Sequence, residues 1–170
     1  MRVAVIPLSL ALLLAGCAGD VHLQPGPRAP DPVCAAVIQA LPQELGGALQ
    51  TSTTAQATVA WGTTEAPITL RCGVDEPGPT TDRCVTVESG GSSVDWINPE
   101  AGSALIPPHA DDEVGSWTFI TYGRSPAIEV VVPAAAVTDQ PDGILVDLAS
   151  AIQRSPASRF CTSATQITVP

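Results

Sequence analysis

Hydrophobic positions follow three different patterns along the chain. The first is an apolar run from Val3 to Leu14, interrupted at Pro7 and Ser9. A membrane-spanning helix needs about 20 apolar residues, so this run has the length of the hydrophobic region of a secretory signal. Arg2 supplies the positive charge that precedes such a region. The pattern therefore predicts a cleaved signal peptide over residues 1–16.

Two later segments repeat their apolar residues at the period of an α-helix. The first begins at Asp31-Pro32, an acceptor side chain followed by proline. Pro42 interrupts its pattern, Leu45 can extend it by a turn, and Gly46-Gly47 is expected to stop it. Its apolar face comprises Val33, Cys34, Val37, Ile38 and Leu41. The second follows a predicted cap at Asp142 and ends at Ser155-Pro156. Its apolar face comprises Ile144, Leu145, Leu148, Ala151 and Ile152.

Between these helices the apolar residues alternate with polar ones, as in β-strands. Six strands are predicted, at residues 57–61, 68–72, 84–88, 94–97, 117–122 and 128–132. Their short connections favour antiparallel pairing, because parallel strands need longer crossovers. Residues 98–116 contain three prolines and no periodicity, and we expect an irregular, solvated loop there.

The order of helix, about six strands and helix predicts an α+β fold. We expect a two-layer sandwich in which a mostly antiparallel sheet carries two short helices on one face. Residues 17–31 are expected to form a lipid-bearing N-terminus and an extended Pro/Gly tether, in which His22 is solvated. Residues 32–170 are expected to form a single extracytoplasmic domain, long enough to bury its own core.

The signal segment ends in Leu14-Ala15-Gly16-Cys17, which resembles the lipobox of bacterial lipoproteins. The resemblance implies cleavage before Cys17, whose sulfur then carries a diacylglycerol while fatty acids such as palmitate complete the anchor. The alternative is an ordinary cleavage site with an incidental thiol. Five cysteines leave one over in an exported chain, and a lipid on Cys17 leaves an even four. We therefore expect a protein on the extracytoplasmic face of the cell membrane, with membrane lipid as its partner.

The composition is acidic, with a formal net charge of −10 and no lysine among the seven basic residues. A surface of this kind is repelled by phosphate backbones and by anionic headgroups. Nucleic acid is therefore excluded as a partner, and electrostatic docking on anionic lipid is disfavoured.

The remaining cysteines, Cys34, Cys72, Cys84 and Cys161, are expected to form two disulfides in an oxidising compartment. Pairing Cys72 with Cys84 closes a local loop, and Cys34 with Cys161 then ties the first helix to the C-terminal segment. The chain-entropy gains are about 3 and 5 kcal/mol. The alternative pairs Cys34 with Cys72 and Cys84 with Cys161. A zinc site is disfavoured, because the cysteines lack CxxC spacing and have no histidine nearby.

Recognisable catalytic machinery is absent from the sequence, and we predict neither a catalytic residue nor a cofactor nor a metal. His109 is the one histidine of the predicted domain, and it lies in the irregular loop. Ser125 lacks the Gly-x-Ser-x-Gly frame of a nucleophile elbow and is interpreted as a turn residue. The triplet Asp111-Asp112-Glu113 lacks the spacing of a calcium loop and is interpreted as solvated charge, with a weak calcium site as the alternative.

Large polar and aromatic residues on the predicted strands and their ends are the candidates for ligand binding. They are Trp61, Arg71, Asp95, Trp96, Trp117, Tyr122 and Arg124. One interpretation is structural, with tryptophans in the core and arginines paired with Asp95 or Glu129. The other is a cleft that holds a sugar, peptide or anionic ligand on aromatic faces and guanidinium groups.

Several short motifs give the chain its resemblance to a known family. They are Cys34-Ala35-Ala36, Leu41-Pro42, Trp61-Gly62, Leu70-Arg71-Cys72-Gly73, Val94-Asp95-Trp96, Tyr122-Gly123-Arg124-Ser125-Pro126, Val131-Val132-Pro133 and Leu145-Val146-Asp147-Leu148. With them the chain resembles a family of actinobacterial envelope lipoproteins that carry a domain of unknown function, family 3515. The resemblance implies an exported, membrane-associated protein and supplies no activity.

These features predict a non-catalytic lipoprotein that binds an unknown envelope protein or cell-wall ligand. The alternative is a cell-wall-associated enzyme with an unrecognised site. An enzyme should show a deep cleft in which titratable groups with perturbed pKa values converge, whereas a binding protein needs only a groove or patch.

Overall fold

A computed structural model of the chain describes residues 19–110, 115–137, 140–162 and, by backbone alone, 165–168. The predicted signal peptide, Cys17 and the acidic triplet at 111–113 lie outside these ranges. Within them the elements are α1 (Pro32–Ala40), β1 (Glu44–Leu45), β2 (Ala48–Thr51), β3 (Thr58–Trp61), β4 (Ile68–Val74), β5 (Arg83–Ser89), β6 (Ser92–Asn98), β7 (Ser116–Thr121), β8 (Ala127–Pro133), α2 (Asp142–Ile152) and β9 (Thr165–Thr168).

The predicted beginning of the first helix is confirmed. Asp31 is the N-cap of α1, and its carboxylate accepts a hydrogen bond from the Val33 amide at 2.9 Å. The predicted end is wrong, because α1 stops at Ala40 and Gly46-Gly47 forms the turn between β1 and β2. Both glycines have positive φ, +57° and +81°, a conformation that suits the tight turn of a hairpin.

All six predicted strands are present as β3 to β8, with ends that differ by no more than two residues. The prediction of about six strands is nevertheless too low, because the described chain also forms β1, β2 and β9. The strand order is β1-β2-β3-β4-β8-β7-β6-β5-β9. Pairing is antiparallel except between β5 and β9, which run parallel. β1 has two residues and β2 lies near the sheet edge, so neither shows the alternating pattern of a half-buried strand.

Both helices contribute buried residues to the main hydrophobic core, together with residues of the strands. α1 and α2 contact each other, α1 contacts β4, and α2 contacts β5 and β6. The five apolar residues predicted to share the α2 face are all buried. Asp142 does not cap α2 with its side chain; the N-cap is Pro141, and Asp142 is the acidic residue of the first turn. No described helix is long and apolar enough to span a membrane.

The segment before α1 lies against the other face of the sheet. Val21 bridges to Thr53, and Val21, Leu23 and Ala29 are buried. Gly26 and Gly73 permit this approach, since a Cβ on Gly73 would lie 2.4 Å from the Arg28 carbonyl carbon. The expected extended tether is therefore wrong for residues 21–30, which are part of the folded domain.

Part of the Pro-rich loop covers this second face as well. Pro107 and Ala110 are buried, and Leu105 packs on a cluster formed by Val74, Ile120 and Ala127. Residues 99–110 are irregular, as predicted, but they are only partly solvated.

The cysteines form two disulfides, and the favoured pairing is wrong. Cys34 pairs with Cys72 and Cys84 with Cys161, at Cα–Cα distances of 5.5 and 6.5 Å. Cys34 lies on the buried face of α1, and Cys72 points to the same core from β4. Because α1 packs on β4, these two sulfurs meet across the helix–sheet interface, which sequence separation alone does not reveal.

Candidate functional site

The predicted ligand-binding residues are divided among several places in the fold. Trp61 and Trp96 are fully buried in the core. The Trp61 indole donates to the Pro42 carbonyl at 3.0 Å, whereas the Trp96 indole nitrogen has no hydrogen-bond partner among the described residues. Both tryptophans therefore pack the helix–sheet interface and are inaccessible to a ligand.

Asp95 and Arg124 hold the segment after α2. Asp95 accepts hydrogen bonds from the Thr86 hydroxyl at 2.6 Å and from the Cys161 amide at 2.8 Å. Arg124 is 4% exposed and donates to the carbonyls of Ser155 and Ser93. Burial lowers the pKa of Arg124, and the carboxylate of Asp95 opposes that shift.

Trp117 and Tyr122 are half-buried and lie apart from the other candidates. Trp117 packs on the main core and borders a surface depression next to Asn98. Tyr122 lies beneath the guanidinium of Arg159, with 5.6 Å between the guanidinium carbon and the ring centroid. That arrangement is a cation–π contact at the protein surface.

Arg71 is the candidate that leads to the most site-like part of the molecule. It stands opposite Glu129 on β4 and β8, and two hydrogen bonds of 2.7 and 2.8 Å join their side chains. The pair lies on the sheet face away from the helices. The imidazole of His109 approaches the same carboxylate, with Nε2 3.5 Å from Oε1 of Glu129.

A cavity of about 490 Å³ opens beside this pair. The segment from Asp20 to Leu23 forms one wall, the turn at residues 64–67 between β3 and β4 forms another, and Thr69, Val131 and Ser116 lie on the strands beneath. A volume of this size lies within the range of small-molecule sites. None of the seven predicted residues is among its described lining residues.

His109 lines the cavity and is 24% exposed. Burial lowers its pKa from the ordinary value of 6.5, Glu129 acts in the opposite direction, and Arg71 lowers it further. The net direction is downward, so the ring is uncharged at neutral pH. A neutral imidazole offers one donor and one acceptor, and it can hydrogen-bond a polar group in the cavity.

Thr69 supplies a second polar group. The residue is 4% exposed and lines the cavity, and its hydroxyl has no hydrogen-bond partner in the described part of the chain. A buried polar group without a partner costs about 1–3 kcal/mol. The hydroxyl oxygen is itself covered by protein atoms, so a bound molecule can use it as a hydrogen-bond partner only once a rotation of the Thr69 side chain turns it towards the cavity.

The charge of the cavity is negative or neutral. The exposed carboxylates of Asp20 and Glu65 lie at its rim. Hydrogen bonds from Thr63, Glu65's own backbone and Thr64 lower the pKa of Glu65, so it is ionised at neutral pH. The described lining residues include no arginine, and the sequence has no lysine. An anionic ligand would find no cationic partner there.

The sequence did not predict Thr69 as a site residue, and it placed His109 only in an irregular loop. The available signal was the alternation of β4 and β8: Thr69 and Arg71 share a face of β4, and their register partners are Val131 and Glu129. The position of His109 depends on the path of the loop, and the loop has no hydrophobic periodicity from which that path could be predicted.

The cavity does not meet the requirements of a metal site. In the described ranges the one group with metal-ligand geometry is Cys84, Asp95 and Cys161. Both sulfurs of this group belong to a disulfide, so they provide no thiolate ligand.

The fold and the cavity define an α+β domain with a mostly antiparallel sheet, two helices that contribute to the main core, and a cavity lined in part by strands β4, β7 and β8. Residues 3–160 match the family "Protein of unknown function (DUF3515)", and the chain belongs to this family. The expected resemblance to family 3515 is thereby confirmed. Neither a curated protein nor a solved structure matches the chain.

Proposed function

We propose that this protein is a non-catalytic binding protein of the cell envelope, held on the extracytoplasmic face of the membrane by lipid on Cys17. The expected actinobacterial origin and the two-layer arrangement of helices on sheet belong to the same proposal. The observation that carries the binding role is the cavity of about 490 Å³ with the unpartnered Thr69 hydroxyl.

Two other observations support the envelope location. The sequence Leu14-Ala15-Gly16-Cys17 follows an apolar run of signal-peptide length. The four other cysteines lie in two disulfides, which form and persist in oxidising compartments. Pairing these four leaves Cys17 as the odd cysteine, as lipid attachment requires.

The anchor is tested by expressing the full chain in a bacterium that processes lipoproteins. Intact mass should give a product that begins at Cys17 and carries diacylglycerol, and the protein should fractionate with membranes. Cys17→Ala should abolish both properties, whereas Ala18→Ser, which keeps the sulfur, should retain them. An unmodified N-terminus on the wild-type protein would contradict the anchor.

Binding is tested by purifying the protein from envelopes under mild conditions and identifying co-purified small molecules by native mass spectrometry. Ala66→Trp places a large side chain at the cavity wall, whereas Ala36→Trp places the same side chain on the exposed surface of α1. A bound molecule should be lost from the first variant and kept by the second. Equal retention in both variants would place binding elsewhere.

The second candidate is an enzyme of the cell wall, favoured by the approach of His109 to Glu129 inside the cavity. A neutral imidazole beside a carboxylate is an arrangement that general bases use. Incubating the purified protein with cell-wall polymer should then release products that His109→Gln does not release. Glu44→Gln, at an exposed position of β1 outside the cavity, is the control and should release the same products as wild type.

A further inference from the structure

The cavity lies at the end of the domain that lipid on Cys17 would hold against the membrane. Asp20 lies on the cavity rim, and its carboxylate accepts a hydrogen bond from the hydroxyl of Ser52. Val21 bridges to Thr53, so the chain is fixed to the domain from this point on. The connection between a lipid on Cys17 and the fixed position of Asp20 is therefore only three residues long.

The short connection sets an upper limit on the distance between cavity and bilayer. Three residues, fully extended, span about 10 Å. Each headgroup layer of a bilayer is about 5–7 Å thick. The cavity rim at Asp20 is consequently held within about 10 Å of Cys17, which is at most a few ångströms beyond the headgroup layer.

The walls of the cavity suit the apolar part of a lipid-like molecule. Val21, Leu23 and Val131 are each less than 10% exposed and line it together with Pro67 and Pro133. Apolar surface taken out of water against these side chains stabilises the complex in proportion to its area. A single headgroup with the first methylenes of its chains is of a size that the cavity can accept.

The polar groups of the cavity restrict the headgroup. Thr69 and His109 offer hydrogen bonds, and the rim carries the carboxylates of Asp20 and Glu65 without a described cationic side chain. Moving an anion from water into such a site is unfavourable, because its lost hydration is not replaced by a positive charge. The headgroup that fits is uncharged or cationic.

We propose that the cavity takes up a membrane-resident amphiphile with an uncharged or cationic hydrogen-bonding headgroup, directly from the leaflet that holds the anchor. This inference rests on the proposed function, because it needs lipid on Cys17. It goes further by naming the chemical class of the ligand and the side from which it enters.

The test uses the lipidated protein reconstituted in phosphatidylcholine vesicles that contain one photoactivatable probe. The probes are a diacylglycerol, a fatty amine and a phosphatidylglycerol, which are neutral, cationic and anionic. After illumination, trypsin digestion places the residues that line the cavity on four peptides, 17–28, 29–71, 84–124 and 125–154. The neutral or cationic probe should label these peptides, and the anionic probe should label them several-fold less.

Two variants separate specific uptake from mere proximity to lipid. Thr69→Val removes the free hydroxyl at nearly constant shape and should reduce labelling several-fold, whereas Thr69→Ser should restore it. A spacer of about 12 Gly/Ser residues between Ala18 and Gly19 allows a separation of about 20 Å and should also reduce labelling. The spacer variant should still float with the vesicles.

The outcomes distinguish the inference from the function on which it rests. Wild-type protein that does not float with vesicles lacks the anchor, and both proposals then fail. Protein that floats but is labelled equally by all three probes, or equally with and without the spacer, overturns only the uptake of this class of amphiphile. Label that appears solely on the protein's own acyl chains also overturns it.

Discussion

Arg71 and Glu129 pair across β4 and β8, with Nε to Oε1 at 2.7 Å and Nη2 to Oε2 at 2.8 Å. The Arg71 side chain is 13% exposed and that of Glu129 is 4% exposed, so solvent screens the pair only weakly. The same carboxylate borders the imidazole of His109. The central strands thus carry a charged pair on the face that the helices leave free.

Glu129→Gln should destabilise the fold by about 2–4 kcal/mol, because it leaves the charge of Arg71 without its partner in a poorly solvated place. Urea unfolding followed by tryptophan fluorescence measures the change. Glu44→Gln is the control at an exposed position of β1 and should lie within about 0.5 kcal/mol of wild type. Equal effects of the two substitutions would show that the pair contributes little.

Thr69→Val should raise the free energy of unfolding by about 1 kcal/mol, because it replaces a buried hydroxyl without a partner by a methyl group of similar shape. The matched substitution is Thr58→Val on the neighbouring strand, where the hydroxyl donates to the Ala55 carbonyl at 2.7 Å. The free energy of unfolding of Thr58→Val should fall by about 1 kcal/mol. A loss at both positions would mean that the Thr69 hydroxyl is satisfied, for instance by water.

Acidification should destabilise the protein in part through His109. Burial lowers the pKa of this residue in the folded state below the ordinary value of 6.5. The unfolded chain therefore binds the proton at a higher pH, and the free energy of unfolding falls as the pH drops from above this value towards the folded-state pKa.

The measurement for His109 is urea unfolding across this pH range for wild type and His109→Gln. The difference between the two proteins isolates the histidine from the carboxylates, which add their own pH dependence at lower pH. The free energy of unfolding of His109→Gln should fall less steeply with decreasing pH than that of wild type. A slope unchanged in His109→Gln would contradict the assignment.

The disulfide pairing can be read from a tryptic digest made without reduction. Cleavage after arginine places each cysteine in its own peptide, at residues 29–71, 72–83, 84–124 and 160–170. The structure requires the first to be linked to the second and the third to the fourth. A linked 72–83 and 84–124 pair would support the local pairing instead. Replacing Cys34 and Cys72 by Ala should cost about 4 kcal/mol, the chain-entropy value for a separation of 38 residues.

Much of the architecture follows from local patterns in the sequence. Short runs rich in β-branched residues predicted β4 and β8, and Asp31-Pro32 placed the beginning of α1 correctly. These signals can be recognised because they depend only on residues that are neighbours in the chain. The apolar run before Cys17 and its lipobox-like end are also local, and they remain the basis for the expected anchor.

Tertiary structure decided the relationships between distant segments. It paired Cys34 with Cys72, added β9 beside β5, folded residues 21–30 onto the sheet and brought His109 to Glu129. Each depends on which surfaces of two elements face one another, and a one-dimensional pattern reports only whether a surface is apolar. The cavity lies where three such segments meet, so its existence could be found only once they were packed.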